Sequence, residues 1–540
     1  MSWLKNLKNK FSVLQPARNI LICVLFAVIL LPLPLLWDTK EAYCTYVILY
    51  MGILWITEAI PLPITALIPV VAFPLLGISK AEKISRVYLC DANFVFFGSM
   101  ILAVAVESNH LHERIALKVL LLTGSNPRWL LLGFQIATVI ISMWISNTGT
   151  AAMMTPIALA IIYELETCRK TLDDPESLFV TDSDDLAVES IPKPQLKIYK
   201  ALLLAIAFSA SIGGTGTLIG TGSNVVLSEF LETQYDDKTP VTFATWILFT
   251  VPQCLLLSFS CWIWLQILFV GFRKYDNGKD NSVKALLSKK YKMLGPLRYE
   301  EKSIILIFFV LILLWLFRSP KFMSGWEKLF RHGYVTDGTA AMAVSILMFV
   351  IPGENPFSRT TSGHYRPLMS WKEMVEKFNW GTIILLGGGY AMAQGVENSG
   401  LSKFISSKLA NIHDMPEWAF VAVACLLVTF LTEFSSNVAT ASIFIPMVQS
   451  IALDQNVNPL YYMIPITLSS SFAFMFPTAP PNAIVFGTRM LKIKDFLIGG
   501  VMVNVMGFLI SQASINTFGK LLFNLDHVPN WALQNSTTDF

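Results

Sequence analysis

The sequence predicts an all-α polytopic membrane protein, and three observations carry that prediction. Of its 540 residues 54% are hydrophobic and only 14% charged, against roughly 25% charged in soluble domains. The mean hydropathy is +0.56, and many windows reach the roughly 20 apolar residues that a helix needs to cross a bilayer. The motif Ser-Asn-x-x-Thr-Ala occurs twice, at Ser146–Ala151 and Ser436–Ala441, each time inside such apolar sequence. A net charge of +3 spread along the chain gives no reason to expect a nucleic-acid partner, and the lipid bilayer is the expected surrounding.

Residues 1–18 form a basic N-terminal segment with Lys5, Lys8, Lys10 and Arg18. Lys and Arg favour the cytoplasmic side, so the N-terminus is expected inside. The first span, "NILICVLFAVILLPLPLLW" (Asn19–Trp37), is too long and followed by too many similar runs to be a cleaved leader. It opens a first transmembrane repeat over 19–272, interrupted by an acidic loop at 165–198 that is placed inside. A linker at 273–302 carries Arg273, Lys274, Lys279, Lys284, Lys289, Lys290, Lys292, Arg298 and Lys302 and is also expected inside. A second transmembrane repeat covers 303–520. The tail, 521–540, has no Lys or Arg and holds the chain's sequon, Asn535-Ser536-Thr537. It is therefore expected outside, with a glycan on Asn535. N inside and C outside need an odd number of crossings, and about eleven fit.

The repeat is read directly from the chain. At an offset of 290 residues, Glu107 meets Glu397, Leu111 meets Leu401, Ile115 meets Ile405 and Lys118 meets Lys408. Ser142 meets Thr432, "SNTGTA" meets "SNVATA", and Pro156 meets Pro446. Each half then carries a second polar break that ends in Asn, "GGTGTLIGTGSN" (Gly213–Asn224) and "FPTAPPN" (Phe476–Asn482). The crossing count places the halves in opposite orientation. Inverted repeats with interrupted helices near the midplane are a signature of secondary transporters.

Backbone that unwinds at membrane depth survives only inside protein or beside a cavity. Its carbonyls, with Ser, Thr and Asn oxygens, suit a hard monovalent cation such as Na⁺. Exposed N–H groups at a helix start suit a carboxylate. Four-residue spacing would put Ser142 and Ser146 on one helical face, and Thr432 and Ser436 repeat the pattern. Two cation sites flanking one anion are expected, with no buried Arg required. Packing of small residues between helices is the alternative, and the duplication disfavours it. Glu58, Glu107, Glu397 and Glu433 are further acids in apolar sequence and candidates for proton coupling, with helix-end pairing the favoured reading of Glu107 and Glu397. "GGGYAMAQG" (Gly387–Gly395) reads as close packing or a hairpin tip. The seven cysteines are scattered without CxxC spacing, and no metal site is expected of them. Nucleophile elbows, Walker loops and metalloprotease helices are absent, so an enzyme is not expected.

At these motifs the chain resembles the divalent-anion/sodium symporter family, solute carrier family thirteen, which includes sodium-coupled citrate and dicarboxylate transporters. The likeness runs from about Trp55 to Gly519 and includes "WITEAIPLPITALIPV", "SMWISNTGTAAMMTPI", "GGTGTLIGTGSN", "LLGGGYAMAQGVENSGLS", "EFSSNVATA" and "PPNAIVF". The resemblance implies a homodimer with scaffold and transport domains, an elevator motion, and re-entrant hairpins near 92–125 and 380–412, while the sequon expected outside favours the plasma membrane. It implies a first sodium site at Ser142, Ser146, Asn147 and Gly222, and a second at Thr432, Asn437 and Ala479. Substrate carboxylates would meet Asn147, Thr148, Asn437, Val438 and Thr478. Where family members have Pro-x-Ala-Thr-Pro-Pro-Asn, this chain has the shorter "FPTAPPN", with Thr478 the threonine available. The implied cargo is citrate with succinate, malate and fumarate, driven by sodium. A sodium-independent exchanger, a sulfate carrier, or a sensor or channel on the same scaffold are the alternatives.

Overall fold

The computed structural model describes residues 18–533, apart from 124–125, 174–190, 236–237, 272–279, 320–323, 332, 356–365, 402–403 and 405–414. Every named element in it is helical, because apolar surroundings offer the backbone no partner but itself. In chain order the α-helices of seven or more residues are α1 (Arg18–Leu30), α2 (Lys40–Thr57), α3 (Ile68–Leu75), α4 (Ala81–Val87), α5 (Asp91–Ser108), α6 (Leu111–Thr123) and α7 (Pro127–Ser142). Then come α8 (Asn147–Asp173), α9 (Lys193–Gly214), α10 (Gly222–Tyr235), α11 (Phe243–Leu265), α12 (Asp280–Met293) and α13 (Tyr299–Leu316). The remainder are α14 (Asp337–Val350), α15 (Trp371–Lys377), α16 (Trp380–Ser399), α17 (Glu417–Thr432), α18 (Asn437–Asp454), α19 (Pro459–Ser469), α20 (Pro480–Phe486) and α21 (Ile493–Ser514).

Local chemistry starts these helices. Asn126 Oδ1 accepts the Arg128 N–H at 3.1 Å and Asn458 Oδ1 accepts the Leu460 N–H at 3.1 Å, each Asn being followed by a proline in the first turn. An Asn cap with a first-turn proline satisfies one orphan donor and removes another. These two caps open α7 and α19, which both lead into polar breaks.

Four helical stretches among the described residues are long and apolar enough to span a bilayer, Arg18–Leu36, Lys193–Gly214, Phe243–Val270 and Ile493–Phe523, and a fifth arises if a bent pair counts as one span. The other apolar helices are shorter or broken, so hydropathy alone divides the chain differently from its helices. The bent pair is Asn93–Ser108 with Leu111–Thr123, turned by 68°. That is where the first hairpin was expected, and the structure shows a bend there. At the second position, 380–399 is one unbroken helix, while 402–403 and 405–414 lie outside the described residues. The helix-to-helix breaks that carry the Ser-Asn motifs lie elsewhere, between α7 and α8 and between α17 and α18.

The duplicated sequence is a duplicated packing. α7 packs on α9 as α17 packs on α19, and α8 packs on α9 as α18 packs on α19. The halves also interlock crosswise, since α8 lies against α20 while α18 lies against α10. α9 is the axis of this assembly, buried without interruption from Ala201 to Gly214. The glycines of "GGGYAMAQG" serve close packing. A methyl on Gly388 would sit 2.5 Å from Ala66 Cβ, and one on Gly389 would sit 2.1 Å from Ser442 Oγ.

Arg114 of α6, in the first repeat, is buried and donates to Glu301 of the linker at 3.0 and 3.2 Å. It also donates to the carbonyls of Leu294 and Gly295 at 2.9 and 2.8 Å. A buried ion pair is tolerated when its remaining hydrogen-bonding capacity is met, and these carbonyls meet it.

Candidate functional site

Both Ser-Asn motifs sit where one helix stops and the next begins. α7 ends at Ser142 and α8 starts at Asn147; α17 ends at Thr432 and α18 starts at Asn437. The four intervening residues are unwound, so Ser142 and Ser146 do not share a helical face. Ser146 is exposed and accepts the Gly149 N–H at 3.2 Å, closing the first turn of α8. Ser436 is the corresponding residue before α18, without a side-chain cap bond.

Ser142 turns inward instead. Its Oγ lies 2.6 Å from Ala210 O and 3.0 Å from Asn147 Oδ1. In the second half, Thr432 Oγ1 lies 2.5 Å from Ser470 O and 3.2 Å from Asn437 Oδ1. Each cluster gathers a hydroxyl, an amide oxygen and a main-chain carbonyl. A hydroxyl has one proton, so it can feed only one of the two acceptors at a time. Each cluster is therefore short of one positive partner. Neutral oxygens with surplus lone pairs suit a hard monovalent cation, so the residues present fit sodium. Among the described residues the Nδ2 groups of Asn147 and Asn437 make no hydrogen bond, which leaves both as donors for an anion.

The second breaks are also paired. Asn224 Nδ2 donates to Gly214, Thr215 and Thr217 carbonyls at 3.3, 3.3 and 2.7 Å. Asn482 Nδ2 donates to Ala473 and Phe476 carbonyls at 3.0 and 2.8 Å. Both side chains are fully buried, and both Oδ1 atoms are without a partner. Thr217 Oγ1 donates to Met143 O at 2.5 Å, and Thr478 Oγ1 donates to Glu433 O at 2.5 Å. Thr478 thus ties the two breaks of its half together as Thr217 does in the other, despite the shorter "FPTAPPN".

Glu433 explains how the shorter segment keeps its shape. Its carboxylate is fully buried and accepts the N–H groups of Phe474, Met475 and Phe476 at 2.9–3.2 Å. Asn504 Nδ2 adds a donor at 2.7 Å. Met143 stands at the equivalent position of the first half, whose loop is longer. The carbonyl bonded by the hydroxyl and the final Asn are 14 positions apart in the first half (Ala210 to Asn224) and 12 in the second (Ser470 to Asn482).

The other expected residues are placed as follows. Thr148 is exposed, next to Asn147. Val438 is buried and packs on Gly222, where a methyl would fall 2.4 Å from Val438 Cγ2 and 3.6 Å from Leu386 Cδ2. The starts of α10 and α18 therefore meet at this contact. Ala479 is buried at the start of α20. Glu58 is exposed at the left-handed end of α2, with φ 48°. Glu397 takes a 3.4 Å contact from Gln234 and lines a cavity of about 480 Å³ beside α10. Asn535 lies outside the described residues. What the sequence did not reveal are the main-chain oxygens of Ala210 and Ser470, the roles of Thr217 and Asn504, and the grip of Glu433. A second self-comparison at an offset of 260, which pairs Ala210 with Ser470, is the signal that finds the first of these.

The family model described as the sodium:sulfate symporter transmembrane region matches residues 14–525. The rat Na(+)/citrate cotransporter is 39% identical over 95% of this chain and 97% of that protein. Human solute carrier family 13 member 2 is 39% identical over 96% of each, and mouse solute carrier family 13 member 1 is 37% identical over 95% and 97%. Among solved structures, the YdaH transporter of Alcanivorax borkumensis shares the fold, with a TM-score of 0.53 over 81% of this chain and 86% of that one at 13% identity. With a family match over nearly its full length and relatives matched end to end, the chain belongs to the sodium:sulfate symporter family, solute carrier family 13.

Proposed function

We propose that this protein is a sodium-coupled secondary transporter of citrate and related di- and tricarboxylates, among them succinate, malate and fumarate, in the plasma membrane. The observation that carries the reading is the pair of matched oxygen clusters, Ser142–Asn147–Ala210 O and Thr432–Asn437–Ser470 O. Each has one proton for two acceptors, and sodium supplies the missing charge. With a cation held on Oδ1, the Asn147 and Asn437 amide groups present Nδ2 to a carboxylate. The N-termini of α8, α10 and α18 add positive potential at the same place. Thr148 extends the donors of the first motif, while Val438 gives its own motif an apolar neighbour. Gly222 and Ala479 mark the helix starts that complete the two sodium sites. The identity to a Na(+)/citrate cotransporter supports this cargo. The family description supports sulfate as the second reading.

In this reading the two repeats are inverted, about eleven crossings put the N-terminus inside and the C-terminus outside, and a homodimer moves its transport domains by an elevator motion. Uptake of radiolabelled citrate into vesicles, with sodium replaced by choline, tests it. Accumulation driven by a sodium gradient and lost in choline is expected. Citrate uptake indifferent to sodium overturns the coupling, and sulfate uptake without citrate uptake overturns the cargo.

A further inference from the structure

The segment "KKYKMLGPLRY" (Lys289–Tyr299) is not used by the transport site. α12 is anchored by Leu287, which is fully buried, and packs on α6 and α8. Its other side turns outward with Lys289 and Lys292 exposed and Lys290 half-buried. No acid among the described residues pairs with these three, and Arg298 pairs only at 4.0 Å with Glu300. Apolar side chains sit among the charges, with Met293 78% exposed beside Leu297 and Tyr299. Directly beyond, α13 carries Leu306 and Phe309 outward, as a lipid-facing helix does. The basic edge therefore stands at the head of an exposed apolar stripe.

The edge also has a shape. Ala285, Ser288, Lys289, Lys292 and Met293 line a shallow groove of about 530 Å³. Two ammonium groups one turn apart and a hydroxyl suit a phosphate, and the exposed Met293 suits the glycerol and upper acyl region above it. The turn that follows is held firmly, because Arg114 grips the Leu294 and Gly295 carbonyls and Glu301. Clusters of Lys and Arg immediately beside a spanning helix attract anionic lipids of the adjoining leaflet.

We propose that this groove binds the phosphate headgroup of an anionic membrane lipid, with phosphatidylinositol 4,5-bisphosphate as the probe. The experiment is native mass spectrometry of the purified full-length protein, titrated with phosphatidylinositol 4,5-bisphosphate or phosphatidylcholine. The wild type is expected to retain the former and not the latter. Each lysine near such a surface is worth roughly a fivefold change in binding, so K289Q/K292Q should weaken retention by about 25-fold. K289R/K292R, which keeps both charges, should bind as wild type does, and where K289Q/K292Q loses its fold a variant at Met293 decides instead. There, Met293→Ser should weaken the lipid while leaving soluble inositol trisphosphate unchanged. Equal retention by wild type and K289Q/K292Q, or equal affinity for soluble inositol trisphosphate and the lipid, overturns the proposal.

Discussion

Gly214→Ala is the sharpest test of the first oxygen cluster. Gly214 closes α9, and a methyl there would lie 2.1 Å from Asn147 Oδ1 and 2.9 Å from its Cγ. Close carbon–oxygen contacts run at about 3.3–3.6 Å, so the overlap exceeds about 1 Å. The helix cannot retreat, because α9 is buried along this stretch. Asn147 must swing away, and its 3.0 Å approach to Ser142 Oγ is lost. Overpacking of this kind costs about 1–3 kcal/mol. Taken from sodium occupancy, that corresponds to a rise of roughly five- to 150-fold in half-saturating sodium. The assay is labelled citrate uptake against sodium concentration, normalised to surface expression. Gly52→Ala is the control, since a methyl there meets nothing within 4 Å. A Gly214→Ala protein with normal surface expression and half-saturating sodium within about twofold of wild type would refute the assignment of Asn147 to a cation.

Asn147→Ala and Asn437→Ala should each abolish transport with folding intact, because each removes an amide whose Oδ1 serves the cation and whose Nδ2 serves the carboxylate, a hydrogen bond to a charged group being worth roughly 1.5–3 kcal/mol. Normal uptake by either at normal surface level would remove that motif from the site. Val438→Thr should raise succinate transport relative to citrate by a few-fold to about tenfold, since one added donor is worth roughly 0.5–1.5 kcal/mol. Competition uptake reads the ratio, and no change would exclude position 438 from selectivity. Glu433→Gln keeps the shape but loses the charge that holds three consecutive N–H groups, so a lower melting temperature and weakened sodium dependence are expected in a fluorescence melt and an uptake titration. Wild-type values in both would show that the carboxylate does not hold the loop. The tail should carry a glycan, so an N-glycosidase should shift the gel mobility of wild type and not of Asn535→Gln, while tail staining restricted to permeabilised cells would reverse the proposed topology.

Composition and its unbroken apolar runs determined the helical membrane class, because backbone in lipid is satisfied only within helices or closed barrels, and barrel strands would alternate apolar with polar residues. The offset of 290 located Ser142, Asn147, Thr432 and Asn437, since each motif is short and contiguous and leaves a mark in residue identity. The tertiary structure decided what completes them. The oxygens of Ala210 and Ser470 belong to the main chain, which every residue carries, so no side-chain pattern announces them. The same is true of the Phe474–Phe476 N–H groups, and only folding shows that they face Glu433 rather than solvent or lipid. Ser142 and Ser146 have helical spacing in the sequence, but the helix stops between them and sends one inward and the other outward. The crosswise contacts of α8 with α20 and α10 with α18 join segments hundreds of residues apart. They depend on how two copies of one packing close around a shared centre, a relation that periodicity within either copy cannot express.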